Sequence, residues 1–370
     1  MKTSFRYESV FANASYQFCG HIDEYLVANT RHLALFYTET RFGKKKHALR
    51  EYEEGKLVSE RQFASSHNIF LFYFLIFIRH TIELWRFASR QKGRTLVLCG
   101  HPVHLFAMGL QRLFHRLDYS YWIGDFFPSR RFVIRAFEAV KRFYHRRVQF
   151  RWYLSDAINR VMNGEVLNTP TCRTVAWGIR LRPGCEVDRG DSRRMLFVGL
   201  LRRGQGIDRI LDFLAKEPEY SLSIIGEAAN GFDVEVLRMI GQRSLMDRVF
   251  FPNRFYSQEE LDAEAKRAFA GIALYDTSPD NFTHYADPGK VKAYIEMGLP
   301  VIMTRISDVT AQIERFRAGE IVDSPEDVGR AAKRIVEEGP TYRRGVLAFA
   351  EHFDFGRYYG ESFKAFEEVT

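Results

Sequence analysis

The stretch from Tyr285 to Thr304, YADPGKVKAYIEMGLPVIMT, admits few folds. It reads as a loop, a short helix and a buried strand. Asp287 is the expected N-cap, and Pro288 suits the first helical position, where its missing N–H costs nothing. Gly289 lets another group approach the backbone. Lys290 sets a cation beside free backbone N–H groups at the positive end of a helix dipole, a combination that binds phosphate. Gly298 ends the helix, Pro300 bars its continuation, and Val301, Ile302 and Met303 continue as a buried strand. As structure alone this is a helix, a turn and a strand with one solvated lysine. As chemistry it is an anion site.

The rest of the chain repeats the strand–helix alternation. In the second half strands are expected at 195–201, 221–226, 249–252, 271–275, 300–304 and 319–322, with helices between them. In the first half the expected strands are 32–37, 95–99, 120–123, 152–154 and 174–179. A charged segment, 41–59, is expected as surface loop or helix, and 68–89 as a long aromatic-rich helix. Strands separated by helices imply parallel pairing and a doubly wound sheet. Residues 180–194 lack periodicity and contain Pro183, Gly184 and Gly190, so an inter-domain linker is expected there. The C-terminal segment 341–368 reads as helix with breaks near 353–355 and 359–360. With 370 residues, two domains of ordinary size are expected.

Several classes are argued against. The longest apolar run, Ile69 to Ile78, is ten residues and too short to span a bilayer. The N-terminus MKTSFRYESVF has no apolar core and is not expected to be a signal peptide. Cys19, Cys99, Cys172 and Cys185 form no Cys-x-x-Cys pair, which argues against zinc and fits a cytoplasmic location. No Walker loop occurs and no Gly-x-Gly-x-x-Gly follows a strand, which argues against a nicotinamide dehydrogenase. The net charge of +8 favours anionic partners.

In parallel sheets ligands bind outside the carboxyl ends of the strands. Four loops of the second half lie there: 201–206, 226–231, 253–256 and 276–289. The first holds Arg202, Arg203, Gly204 and Gly206 just before a helix, repeating the pairing of small backbone with cation.

FVGLLRRGQGIDRILDFL (197–214), SLSIIGEAANGFDVEVL (221–237), VFFPNRFYSQEELDAEAKRAFAGIALY (249–275) and DPGKVKAYIEMGLPVIMT (287–304) occur in the order found in the C-terminal domain of group 1 glycosyltransferases. The chain resembles these two-domain GT-B enzymes, close to family 4, best over 195–324. YWIGDFFPSR and WYLSDAINRVMNG in the first half are similar less specifically. The resemblance implies two Rossmann-like doubly wound α/β domains facing a cleft: an acceptor domain at 1–183, a nucleotide-sugar domain at 184–350, and a helical tail at 351–370 packing back on the first. It implies that Gly199, with Arg202 or Arg203, approaches a diphosphate, that Arg254 and Tyr256 lie in the loop touching the base, and that Asp287, Pro288, Gly289 and Lys290 hold the diphosphate. Two departures stand out. Gln205 replaces the family's usual lysine, and the usual glutamates eight apart fall at Tyr285 and Ala293. Glu296, one turn on, is the candidate for a ribose hydroxyl; the alternative is a surface carboxylate.

In the first half, Asp125 ends a strand beside Gly124 and can act as a general base or pair with Arg130 or Arg131. His101, with His104 as the alternative, can orient the donor sugar or serve as a cap. The stretch 128–151 holds eight Lys/Arg against one acid, Glu138, with five interleaved Phe or Tyr. It reads as an anionic membrane surface contact on the inner face, as an ordinary amphipathic helix, or less well as a nucleic-acid site. No Asp-x-Asp motif is present, so neither metal nor cofactor is expected. The leading expectation is transfer of a hexose-type sugar from a nucleotide donor to a glycan or polyprenyl-linked acceptor in surface polysaccharide assembly, with retention implied by the resemblance. The alternatives are a nucleotide-sugar epimerase and a non-catalytic sugar-nucleotide-binding scaffold.

Overall fold

A computed structural model describes residues 7–15, 20–39, 46–129, 131–182 and 192–367. The chain divides into two compact units, Met1–Gly178 with Phe355–Thr370, and Ile179–Asp354. Most of the expected linker, 183–191, lies outside the described residues, as does Arg130.

Among the described residues the first unit is built on eight strands: β1 Ser9–Ser15, β2 His32–Glu39, β3 Lys46–Glu53, β4 Lys56–Phe63, β5 Thr95–Cys99, β6 Leu117–Ile123, β7 Phe150–Tyr153 and β8 Cys172–Thr174. Their order in the sheet is β4-β3-β2-β1-β5-β6-β7-β8. The run from β2 to β8 is parallel, and β3 and β4 add an antiparallel hairpin at one edge. Every residue of β5 and β6 is buried, as expected of parallel strands covered on both faces.

Two elements differ from expectation. The segment 41–59 is not loop or helix over its described part. Glu54 and Gly55 both have positive φ, the backbone of a two-residue hairpin turn, and they fold 46–63 onto itself. Its charges pair across the strands, Arg50 with Glu60 at 3.2 Å. The second difference is β1, which had no expected strand and lies in the middle of the sheet, with Val10, Phe11 and Ala12 fully covered.

Helix Phe355–Glu367 belongs to this unit and runs without a break at 359–360. Phe366 stacks on Phe150 with ring centroids 3.9 Å apart, Phe363 stacks on Tyr25, and the Tyr359 hydroxyl donates to the Gly20 carbonyl at 2.7 Å.

The second unit holds β9 Arg194–Val198, β10 Ser221–Ile225, β11 Val249–Phe250, β12 Ala270–Ala273, β13 Val301–Thr304 and β14 Gly319–Val322. The order is β11-β10-β9-β12-β13-β14, all parallel. This is the winding of a dinucleotide-type Rossmann sheet. Its core is closed by helices Ile207–Lys216, Phe232–Gln242 and Val328–Glu337 through Ile210, Leu214, Val236, Ile240, Ala332 and Ile335.

Candidate functional site

In the second unit β9 and β12 are neighbours, yet the chain leaves β9 toward β10 and leaves β12 toward β13. Loops that diverge in this way open a crevice at the carboxyl ends of the two strands. Pairing between them covers Ala270 with Met195 and Gly271 with Leu196, after which the strands part. The Tyr294 hydroxyl fills the gap, accepting from the Val198 N–H and donating to the Ile272 carbonyl, both at 3.0 Å. Gly271 makes room for the ring, since a Cβ there would come within 2.3 Å of it.

Tyr294 lies on helix Gly289–Glu296, whose first turn meets that crevice. Lys290 is in this turn. Its ammonium is buried, has no hydrogen-bond partner among the described residues, and sits 3.6 Å from the Phe197 ring centroid at the end of β9. Gly199, with φ 128°, presents bare backbone beside it: a Cβ there would lie 3.4 Å from Lys290 Cε. Burial, with Arg202 nearby, pushes the Lys290 ammonium down to about 7. A buried cation without a partner is costly, and an arriving anion would remove that cost.

The neighbouring loops are tied together. The Leu201 N–H donates to the Glu227 carbonyl and the Ala229 N–H to the Leu201 carbonyl, each at 2.9 Å. Asn253 holds a left-handed conformation and its side chain accepts from the Ala228 N–H at 2.9 Å. Arg202 lies over the Phe282 ring at 5.1 Å.

Other expected site residues are placed differently. Asp287 is not the helix cap. The N-cap is Pro288, which has no side-chain acceptor, and Asp287 is buried 3.7 Å from Lys292 Nζ. Burial lowers the Lys292 pKa and Asp287 opposes that shift. Glu296 is buried rather than a surface carboxylate. It accepts from the Arg180 N–H at 3.1 Å and lies 3.4 Å from the Arg182 guanidinium. It is seven residues along the helix from Gly289, about 10 Å in rise, and is not brought to Lys290. Arg203 is exposed and pairs with Glu235 at 2.5 Å. Arg254 pairs with Glu260 at 2.6 Å and lies over the Tyr256 ring at 4.3 Å. Of the expected residues, the structure therefore brings together Gly199, Gly289 and Lys290, with Arg202 near them.

In the first unit the sheet reverses its winding at β1 and β5, and His101 follows β5. Its Nδ1 accepts from the Val103 N–H at 3.3 Å, capping the 3-10 turn Pro102–Leu105, which leaves the proton on Nε2. Its ring stacks on Tyr73, and burial with nearby Lys141 lowers it to about 4, so it is neutral at ordinary pH. His104, in the same 3-10 turn, is buried, 3.2 Å from Asn13 Nδ2 and stacked on His80. Asp125 is exposed after β6, and Lys141 donates to its backbone carbonyl.

No protein-family model matches the sequence, and no curated protein matches it. Solved structures do match in fold. Sucrose-phosphate synthase from Thermosynechococcus elongatus superimposes with a TM-score of 0.71 at 12% identity, over 98% of each chain. A UDP-forming α,α-trehalose-phosphate synthase from Burkholderia vietnamiensis gives 0.67 at 13%, over 98% of this chain and 100% of that one. Anabaena HepE in complex with UDP-glucose gives 0.65 at 11%, over 98% and 100%. The fold is GT-B.

Tyr294 is the site residue that sequence reasoning missed. The available signal was Gly271, a glycine inside a strand, which marks close approach by another group.

Proposed function

We propose that this GT-B chain is a glycosyltransferase close to family 4, moving a hexose-type sugar from a nucleoside-diphosphate sugar to a glycan or polyprenyl-linked hydroxyl in surface polysaccharide assembly, with retention. The observation that carries this is Lys290: a buried ammonium, without a hydrogen-bond partner among the described residues, in the first turn of a helix at the crevice where the second sheet reverses its winding. A diphosphate there would gain the ammonium and the free N–H groups of the turn. Lys290 and Arg202 would neutralise charge developing on the leaving diphosphate, with no metal needed. The neighbour HepE was solved with UDP-glucose, which supports a UDP-sugar as the first donor to try. In the first unit, His101 would donate a hydrogen bond from Nε2 to a sugar hydroxyl, and Asp125 would take the acceptor proton.

Calorimetry with UDP and GDP on wild type and Lys290→Ala tests the site. The variant should weaken binding by about 1.5–3 kcal/mol, the range for a hydrogen bond to a charged group. Unchanged affinity for every nucleotide that binds wild type would remove the diphosphate site. Asp125→Asn should lower transfer at least about 10²-fold with nucleotide affinity unchanged. Normal turnover in that variant would leave Asp125 a surface residue.

A further inference from the structure

The three helical segments that cover one face of the first sheet expose a set of large apolar side chains among the described residues. Helix Ile69–Ser89 exposes Phe70 at 78%, with Leu71 and Phe74 beside it. The segment after β5 exposes Phe106, Leu110 and Phe114, and Leu113 at 78%. Helix Phe132–His145 exposes Phe132 at 84% and half of Phe143. Ring contacts join these into one surface: Trp85 meets Phe114 at 5.1 Å, Phe77 meets Phe106 at 6.0 Å, and Phe106 meets Tyr144 at 5.4 Å. Isolated apolar side chains on a surface need no partner, but a joined patch of aromatic and leucine tips marks an interaction face.

The charges on the same segments identify the partner. Arg86, Arg112 and Arg116 are exposed around the Trp85–Phe114 end, and Arg131, Arg135, Arg142, Arg146 and Arg147 around helix Phe132–His145. The acids on the three segments are Glu83 and Glu138, and both are buried and paired, Glu83 with Arg61 at 2.8 Å and Glu138 with Lys141 at 3.0 Å. The face thus offers apolar tips ringed by guanidinium groups, with no exposed acid among its described residues. A second copy of the chain meeting this patch about a two-fold axis would set arginine against arginine. An anionic bilayer satisfies both halves of the pattern, since headgroups meet the arginines and the tips enter the acyl boundary.

We propose that this face docks the protein on an anionic lipid bilayer, lying in the interface rather than crossing it. Among the described residues no helix is long and apolar enough to cross.

Co-sedimentation of the full chain with phosphatidylcholine vesicles, with and without phosphatidylglycerol, tests this. Binding should require phosphatidylglycerol and weaken with salt. Arg142→Gln, Arg146→Gln and Arg147→Gln together should weaken it about 10²-fold. Leu113→Ser with Phe132→Ser should weaken it about tenfold or more at any salt. These side chains are exposed, so melting temperature and UDP affinity serve as controls and should not move. Absence of binding to either vesicle, or equal binding to both, would overturn the proposal. So would a dimer in sedimentation equilibrium that the Leu113/Phe132 variant dissociates, or tighter binding to single-stranded RNA that ignores that variant.

Discussion

Lys290 is the residue whose environment has the sharpest consequence. Burial and Arg202 hold its ammonium at about 7 when nothing is bound. An adjacent diphosphate would favour the charged form and raise that value. The sign follows. Below pH 7 the lysine is protonated in both states, and affinity for UDP owes nothing to its titration. Above pH 7 the free protein has lost the proton and the complex keeps it, so binding takes up a proton and affinity falls as pH rises, by at most about tenfold per unit. UDP titrations from pH 7 to about 9 should show that fall, with proton uptake read from buffers of different ionisation enthalpy. Lys290→Met should flatten the profile. A flat profile in the wild type would mean that the ammonium stays charged without ligand, or that the diphosphate binds elsewhere. The helix start at Lys290 was legible because its signal is local, a cation two residues after a proline. The capping role expected of Asp287 was wrong, and the buried setting of Glu296 was not legible, because their surroundings are not local. Asp287 turns to Lys292 and Glu296 to Arg182, and neither partner follows from helical spacing around a ligand.

At the scale of elements, the second sheet was legible and parts of the first were not. Strands such as Ser221–Ile225 and Val301–Thr304 are short apolar runs between helices and declare themselves. The hairpin of β3 and β4 was hidden because its exposed edge is charged, so that KLVSERQF shows little alternation. Five of the seven residues of strand β1, SVFANAS, are small or polar, and only the fold shows that it is central. The least legible device is the join of helix Gly289–Glu296 to the parting of β9 and β12 through Tyr294. Tyr294→Phe would strand the Val198 N–H and the Ile272 carbonyl, a loss of about 1–3 kcal/mol. Gly271→Ala would force the Tyr294 ring to move, at about 1–3 kcal/mol for overpacking. Both should lower the urea midpoint followed by far-UV circular dichroism. Wild-type stability in Tyr294→Phe would show that water or a rearranged strand replaces the hydroxyl.

At the scale of the molecule, the chain forms two cores, and its last helix returns to the first. The second unit, Ile179–Asp354, is an unbroken stretch set between the two segments of the first. All four tryptophans, Trp85, Trp122, Trp152 and Trp177, lie in the first unit, so fluorescence reports that unit alone while circular dichroism reports both. Units with separate cores can unfold separately. Phe366 is fully buried, stacks on Phe150 and lies 5.1 Å from the Trp152 ring. Phe366→Ala should cost the first unit about 3–5 kcal/mol through lost burial and the cavity left behind. The tryptophan transition should therefore move to lower urea, while UDP affinity in folded protein stays at the wild-type value, because the Lys290 crevice is built from the second unit. Tyr294→Phe should give the reverse, with the tryptophan transition unmoved and only the circular dichroism curve shifted. If either substitution moves both transitions together, the two cores unfold as one cooperative body, and stability cannot be assigned unit by unit.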